Sequence, residues 1–160
     1  MMDIKLKDKI QREFIDKLAP IGNKNNGGCL FMCLLFYRWL KKEGLPTESF
    51  IIKQYDYDDM EKINHNISWI EGNTDYPSAS YHFTWIYEGE EMDSVMFGGS
   101  GKTSTGVELD GLNNIFADVV EDFCIEALNN ASWNEKFCRG DAINFIEEEF
   151  GIYMGDVNLN

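Results

Sequence analysis

The 160-residue chain contains only two histidines, three prolines and four cysteines, and its 14 basic residues are outnumbered by 28 acidic ones. Nucleic-acid binding depends on Lys and Arg side chains that neutralise phosphates, so a net charge of −14 excludes a general nucleic-acid binder. An anionic membrane surface repels the same charge. We therefore expect no direct nucleic-acid partner and no membrane partner.

Long apolar runs are absent as well. The longest, 29–37, has nine residues, whereas a bilayer-spanning helix needs about 20. The first residues lack the apolar stretch of a secretory signal, which predicts a cytoplasmic protein with reduced cysteines. No two cysteines have the Cys-x-x-Cys spacing, so we expect no structural zinc, and the sequence gives no sign of another metal or a cofactor.

Apolar and aromatic residues are plentiful: 44% of the chain is hydrophobic, including 4 Trp, 7 Tyr and 11 Phe. This supply is sufficient to bury a core, and the length fits one domain over residues 1–160. Charge is uneven, because residues 107–160 carry 12 acidic and 2 basic side chains, a net charge of −10. We treat 107–160 as an acidic helical segment.

Hydrophobic periodicity of 3.6 predicts helices over residues 4–18, 58–70 and 112–128. An apolar run closed by Gly44 predicts a helix over 29–43, and Asp141 and Gly151 bound a last helix that ends at Phe150. Strands are predicted over 49–55, 81–87 and 91–97, with a Gly-rich loop over 98–106 that could act as a lid. The helix at 29–43 is apolar on nearly every face, so it should be buried. Together these elements predict an α+β fold in which a central buried helix packs on a small antiparallel sheet, with flanking helices.

Cys29 is the most informative position for chemistry. It follows two glycines and opens the central helix, where free N–H groups and the positive end of the helix dipole favour a thiolate. This placement is typical of a cysteine nucleophile. The alternative is that Cys29 is simply a small apolar residue at the start of a core helix.

A nucleophilic cysteine needs a base, and the base needs a group that orients it. His82 begins a strand, whereas His65 lies in a polar helix and has a weaker claim to a role. A two-residue turn at 88–89 would pair residues whose numbers sum to 177 and make Asp93 a diagonal neighbour of His82. A three-residue turn at 88–90 would place the two on opposite faces. Asp93 is therefore the candidate orienter, and the alternative is an edge-strand carboxylate that faces water.

Two stretches resemble a known superfamily: Gly-Gly-Cys29 at a helix start, and Tyr-His82-Phe-Thr-Trp-Ile-Tyr-Glu-Gly-Glu-Glu-Met-Asp93. Together they are similar to the core of the papain-like and transglutaminase-like cysteine hydrolases, over residues 22–97. The resemblance implies a papain-like core with a Cys29, His82, Asp93 catalytic triad. It also implies a side-chain amide in the oxyanion hole, for which Asn23 has the papain-like spacing and Asn25 and Asn26 are nearer alternatives.

The implied function is a thiol protease-like hydrolase or acyltransferase that acts on a peptide or protein amide. A rival hypothesis is a catalytically inactive acidic binding or inhibitor protein that docks on a basic protein surface, with the hydrolase-like core as a scaffold. Two further alternatives are weaker. Gly101-Lys102-Thr103 lacks the first glycine of a phosphate-binding loop, and a metal site of Cys29, Cys33 and His82 lacks a fourth ligand.

Overall fold

The computed structural model describes residues 2–56, 60–79, 82–103, 105–114, 116–130 and 137–157. Within these ranges the chain forms five α-helices and one four-stranded antiparallel sheet. The predicted fold class, α+β with a central helix on a small antiparallel sheet, is confirmed.

The helices are α1 Ile4–Ile10, α2 Cys29–Glu43, α3 Glu61–Ile70, α4 Val119–Asn130 and α5 Arg139–Phe150. The strands are β1 Ile51–Asp56, β2 His82–Tyr87, β3 Glu90–Met92 and β4 Thr105–Glu108. Helix α1 continues as a π-helical turn over Gln11–Ile15 and a 3-10 turn over Asp16–Leu18, so the predicted helix 4–18 is helical throughout.

Helix α2 has the predicted bounds and forms the centre of the core. It ends at Gly44, whose φ of 70° is the left-handed conformation in which glycine closes a helix. Its side chains are buried along almost the whole length, and Phe36 stacks on Trp85 of β2 with ring centroids 4.9 Å apart. The apolar circumference of this segment therefore predicted its position correctly, because a helix without a polar face must be covered on all sides.

The sheet has the strand order β3-β2-β1-β4. In the β2–β3 hairpin, Trp85 pairs with Met92 and Tyr87 with Glu90, so the numbers sum to 177 and the two-residue turn is confirmed. Strand β3, however, ends at Met92 instead of 97. A tight turn follows, in which the Asp93 N–H donates to the Met96 carbonyl, so the diagonal pairing predicted for Asp93 is not formed.

Helix boundaries in the acidic segment differ from the predicted ones. Helix α4 starts at Val119 instead of 112, because the Asn114 side chain accepts from the Phe116 N–H and makes a local turn that competes with the helix. Helix α5 starts at Arg139, two residues before the predicted 141, and ends at Phe150 as predicted.

Two other predicted elements differ at their ends. Strand β4 lies partly inside the predicted 98–106 loop. A phosphate-binding loop would be followed by a helix, whereas the element after Gly101-Lys102-Thr103 is this strand. The predicted helix start at 58 and the predicted strand start at 81 lie outside the described residues. Helix α3 begins at Glu61 and strand β2 at His82.

Because β2 is pleated, its side chains point alternately to the two faces of the sheet. Phe83 and Trp85 are fully buried on the face that packs against α2, and the alternate residues His82 and Thr84 point to the opposite face. His82 pairs with Tyr55 of β1 there, with ring centroids 6.1 Å apart. None of the helices in the described ranges has the length and apolarity required to cross a bilayer.

Candidate active site

The Cys29 thiol lies at the first residue of α2 and is 8% exposed. Burial raises its pKa, although hydrogen bonds from the backbone at Phe83, at Leu30 and at Cys29 itself lower it, and the charge of Asp93 raises it further. The helix start does supply N–H groups to the sulfur, as predicted. Burial outweighs them, so the resting group is a neutral thiol and not the thiolate that we expected.

The His82 imidazole is 8% exposed at the start of β2. Its Nε2 lies 2.6 Å from the carbonyl oxygen of Ser100. A carbonyl only accepts, so Nε2 carries the proton and Nδ1 keeps the lone pair that a base needs. Burial lowers the pKa of His82 from 6.5, against opposing effects of the Ser100 carbonyl and the Asp93 charge. The ring is therefore neutral at pH 7, which is the form that can accept a proton.

Asp93 is 1% exposed and accepts five hydrogen bonds. Its Oδ1 accepts from the backbone N–H groups of Val95 and Met96, at 2.8 and 2.9 Å. Its Oδ2 accepts from the Ser100 N–H at 2.6 Å, the Ser100 Oγ at 2.9 Å and the Asn25 Nδ2 at 3.1 Å. The carboxylate thus fixes the 93–100 loop and is linked to the imidazole by hydrogen bonds through Ser100.

The structure joins His82 and Asp93 in one hydrogen-bonded chain through Ser100, and Cys29 lies outside this chain. Within the described residues, the hydrogen bond of the His82 ring goes to Ser100, and the ring does not hydrogen-bond the sulfur. The thiol lies against the backbone of β2 at Phe83, from the side of α2. Asp93 is close enough to affect the pKa of both Cys29 and His82.

The oxyanion candidates of the 23–26 segment separate in the structure. Asn23 is exposed, has a φ of 55°, and lines a groove with Pro20 and Phe145 of α5. Asn25 reaches the polar chain instead, because its Nδ2 donates to Asp93 at 3.1 Å and to the Ser100 Oγ at 2.7 Å. The role of Asn23 as an oxyanion donor stays a prediction.

Ser100 is the residue that sequence reasoning missed. It lies between Gly99 and Gly101, whose φ values of 76° and 67° are conformations that other residues rarely adopt. A Cβ on Gly101 would lie 3.3 Å from the Cε1 of His82, so only a glycine lets the loop approach the ring this closely. The Gly-rich composition was the available signal, and it predicted a mobile loop instead of one packed on the imidazole.

The remaining cysteines and His65 lie outside this polar chain. Cys33 is fully buried, and its thiol donates to the Thr84 carbonyl at 3.7 Å. His65 is on α3, where its Nε2 hydrogen-bonds the Tyr76 carbonyl. None of the four cysteines forms a disulfide, and Cys138 alone among them is exposed. The ranges that the structure describes contain no group of three or more His, Cys, Asp or Glu side chains arranged for a metal ion.

Comparison of the chain with family models, with curated proteins and with solved structures found no match.

Proposed function

We propose that this chain is a cysteine-dependent amide hydrolase or acyltransferase of the peptidase-like kind. Cys29 is the nucleophile, His82 is the general base, and Asp93 orients the base through Ser100. The observation that carries the proposal is the buried, neutral imidazole of His82. Its Nε2 proton is donated to the Ser100 carbonyl, so Nδ1 is left as the proton acceptor, on the residue that precedes Phe83, whose backbone the Cys29 thiol contacts.

The reaction follows from these groups. Nδ1 of His82 takes the thiol proton, the Cys29 sulfur bonds to the amide carbonyl carbon, and the imidazolium then protonates the leaving amine as the C–N bond breaks. Water or a second amine, deprotonated by His82, attacks the thioester and releases the acyl group. The free thiol and the neutral imidazole are restored.

The start of α2 supplies electrostatic stabilisation. No side chain caps this helix at Gly28, and the N–H groups of Cys29 and Leu30 already donate to the sulfur. The same N–H groups favour negative charge that develops on the oxygen of a carbonyl whose carbon is bonded to that sulfur. Gly28 allows the backbone before α2 to pack closely on the Lys24 carbonyl oxygen, because a Cβ at position 28 would lie 2.8 Å from that oxygen.

Proton transfer requires the His82 imidazole and the Cys29 sulfur to come into contact at the start of β2. The 98–103 loop covers the ring from the Gly101 side. This loop is the predicted lid, and its Ser100 carbonyl is the contact that fixes the Nε2–H tautomer of His82. In the closed structure, both the thiol and the imidazole are sheltered from water.

The test is acyl transfer from p-nitrophenyl acetate, a general acyl donor. Exposed Cys138 would react unselectively, so the reference protein carries Cys138→Ser. We expect release of nitrophenolate and an acetyl group on Cys29 in the peptide map. The rate should rise with pH to a plateau with a midpoint below 6.5, because the base must be neutral and burial lowers the pKa of His82.

Three further substitutions in the Cys138→Ser background decide the outcome. Cys29→Ala should abolish acetylation, and His82→Gln should slow it by about 100-fold, as expected for a lost general base. Cys33→Ala, one helical turn away on the same face, should retain it. Equal acetylation of the Cys29→Ala protein, or an unchanged rate in His82→Gln, contradicts the proposal.

A second candidate function is supported by the surface of α5. Its side chains Glu147, Glu148 and Glu149 are all exposed, within a segment whose net charge is −10. Such a surface fits the acidic binding or inhibitor protein that docks on a basic partner. Salt-sensitive binding that is independent of Cys29 would favour this function over catalysis.

A further inference from the structure

The segment before α2 is tied to the loop that covers His82. The Asn25 Nδ2 donates to Asp93 Oδ2 at 3.1 Å and to the Ser100 Oγ at 2.7 Å, and both partners are about seventy residues away in the chain. The Ser100 Oγ in turn donates to the same Asp93 oxygen at 2.9 Å. The three side chains therefore close a ring of hydrogen bonds, which we call the Asn25 latch.

Ser100 connects this latch to the imidazole. Its side chain and its N–H are held by Asp93, and its carbonyl oxygen accepts the Nε2 proton of His82 at 2.6 Å. Because the side chain and the carbonyl belong to one residue, fixing the first fixes the direction of the second. The latch thereby selects the tautomer of His82.

The orientation of the Asn25 amide is determined by this role. Its nitrogen donates both hydrogens within the latch, while its Oδ1 is buried and has no hydrogen-bond partner among the described residues. Rotating the amide by 180° would turn the oxygen toward the Asp93 carboxylate, where two acceptors would face each other. Asn25 thus leaves a buried acceptor unsatisfied in order to donate twice.

We propose that Asn25 is a positioning residue for His82, which acts through Asp93 and Ser100 to hold the imidazole in its Nε2–H tautomer and the 98–101 loop closed over it. This inference rests on the proposed function for its catalytic meaning. It adds a residue from the helix-leading segment to the groups that orient the base. It also makes the start of α2 and the covering loop one unit.

The test observes the imidazole directly by ¹⁵N NMR. The chain has two histidines, so a His65→Gln variant assigns both rings. In the wild type we expect Nε2 of His82 to appear protonated and Nδ1 unprotonated, with a pKa below 6.5. In Asn25→Ala the two nitrogens should average between tautomers, and the pKa of His82 should rise toward its ordinary value, because an open loop lets water reach the ring.

Hydrogen exchange gives a second readout. Loss of the latch should speed exchange of the Ser100 amide by about tenfold or more, while amides in α2 stay protected. Ser100→Ala keeps the carbonyl and the N–H but removes Oγ, so it should show a smaller change in the same direction. Asn64→Ala, an exposed asparagine on α3, is the matched control and should change neither readout.

The inference is overturned if Asn25→Ala retains the single tautomer and the lowered pKa of His82, or if Asn64→Ala alters them equally. Should Asn25→Ala fail to fold, the Ser100→Ala protein decides by the same spectra. These readouts do not require turnover. If the protein shows no acetylation of Cys29 but the tautomer of His82 depends on Asn25, the proposed function is refuted and the inference about Asn25 stands. If the tautomer does not depend on Asn25, the inference is refuted and acetylation of Cys29 still tests the proposed function.

Discussion

Cys29 and His82 are both neutral at rest because both are buried. The helix start favours the thiolate, yet burial raises the pKa of Cys29, and burial lowers that of His82. An ion pair between them would have to overcome two desolvation costs that act in the same direction. In the proposed mechanism, charge therefore develops on these two residues only during the reaction.

The neutral His82 predicts a specific pH dependence of stability. Between its folded pKa, which is lowered, and its unfolded value near 6.5, the unfolded chain binds more protons than the folded one. The free energy of unfolding should therefore fall as pH drops through 6.5, and this contribution should level off below the folded pKa.

The measurement is urea unfolding of the wild type and of His82→Gln between pH 5 and pH 7.5. The variant lacks this titration, so the wild type should lose more stability than His82→Gln as the pH falls. Parallel curves for the two proteins would show that the buried ring does not titrate with a lowered pKa.

At the scale of elements, capping and charge act differently on the two ends of α5. Asp141 lies in the first turn, where a negative charge interacts favourably with the helix dipole. The last turn has Glu147, Glu148 and Glu149 and no basic residue. These carboxylates therefore lie near the partial negative charge of the helix C-terminus, which is unfavourable. The helix holds because Ile143 and Ile146 are buried and Gly151 closes it in the left-handed conformation.

This asymmetry predicts opposite effects of one type of substitution. Glu148→Lys should raise the free energy of unfolding by about 0.5 kcal/mol, and Asp141→Lys should lower it by a similar amount. Both positions are exposed, so packing changes little. Urea unfolding at low salt measures the difference, which should shrink in about 1 M NaCl because salt screens the dipole. A shift of the same sign in both variants would contradict it.

At the scale of the whole molecule, charge is the dominant surface property. Most of the net charge of −14 lies in residues 107–160, whereas residues 1–106 contain 12 of the 14 basic side chains. A field of this sign attracts cationic partners over distances near the Debye length, about 10 Å at 0.1 M salt. Catalysis and docking would therefore favour basic peptides and proteins alike.

We predict that the protein binds immobilised poly-lysine and elutes with salt. If α5 is the docking surface, replacing Glu147, Glu148 and Glu149 with Gln should lower the salt needed for elution, because those contacts release counterions. The triple variant Asp16→Asn, Glu71→Gln and Asp75→Asn removes the same charge from exposed sites elsewhere.

The comparison of the two triple variants is decisive. Cys29→Ala should elute like the wild type, because it leaves the charge unchanged. Equal shifts in both triple variants would show that the overall charge binds the resin, and α5 would then have no special role in docking.

The sequence by itself determined the α+β class, the bounds of α2 and the β2–β3 hairpin, because local hydrophobic patterns, capping residues and turn chemistry decide these features. It placed Cys29 and His82 at the starts of their elements for the same reason. Only the tertiary structure decided that Ser100 links Asp93 to His82, that Asn25 and not Asn23 hydrogen-bonds Asp93, and that burial raises the pKa of Cys29. These depend on contacts between residues tens of positions apart and on exclusion of water, and neither is encoded in a local pattern.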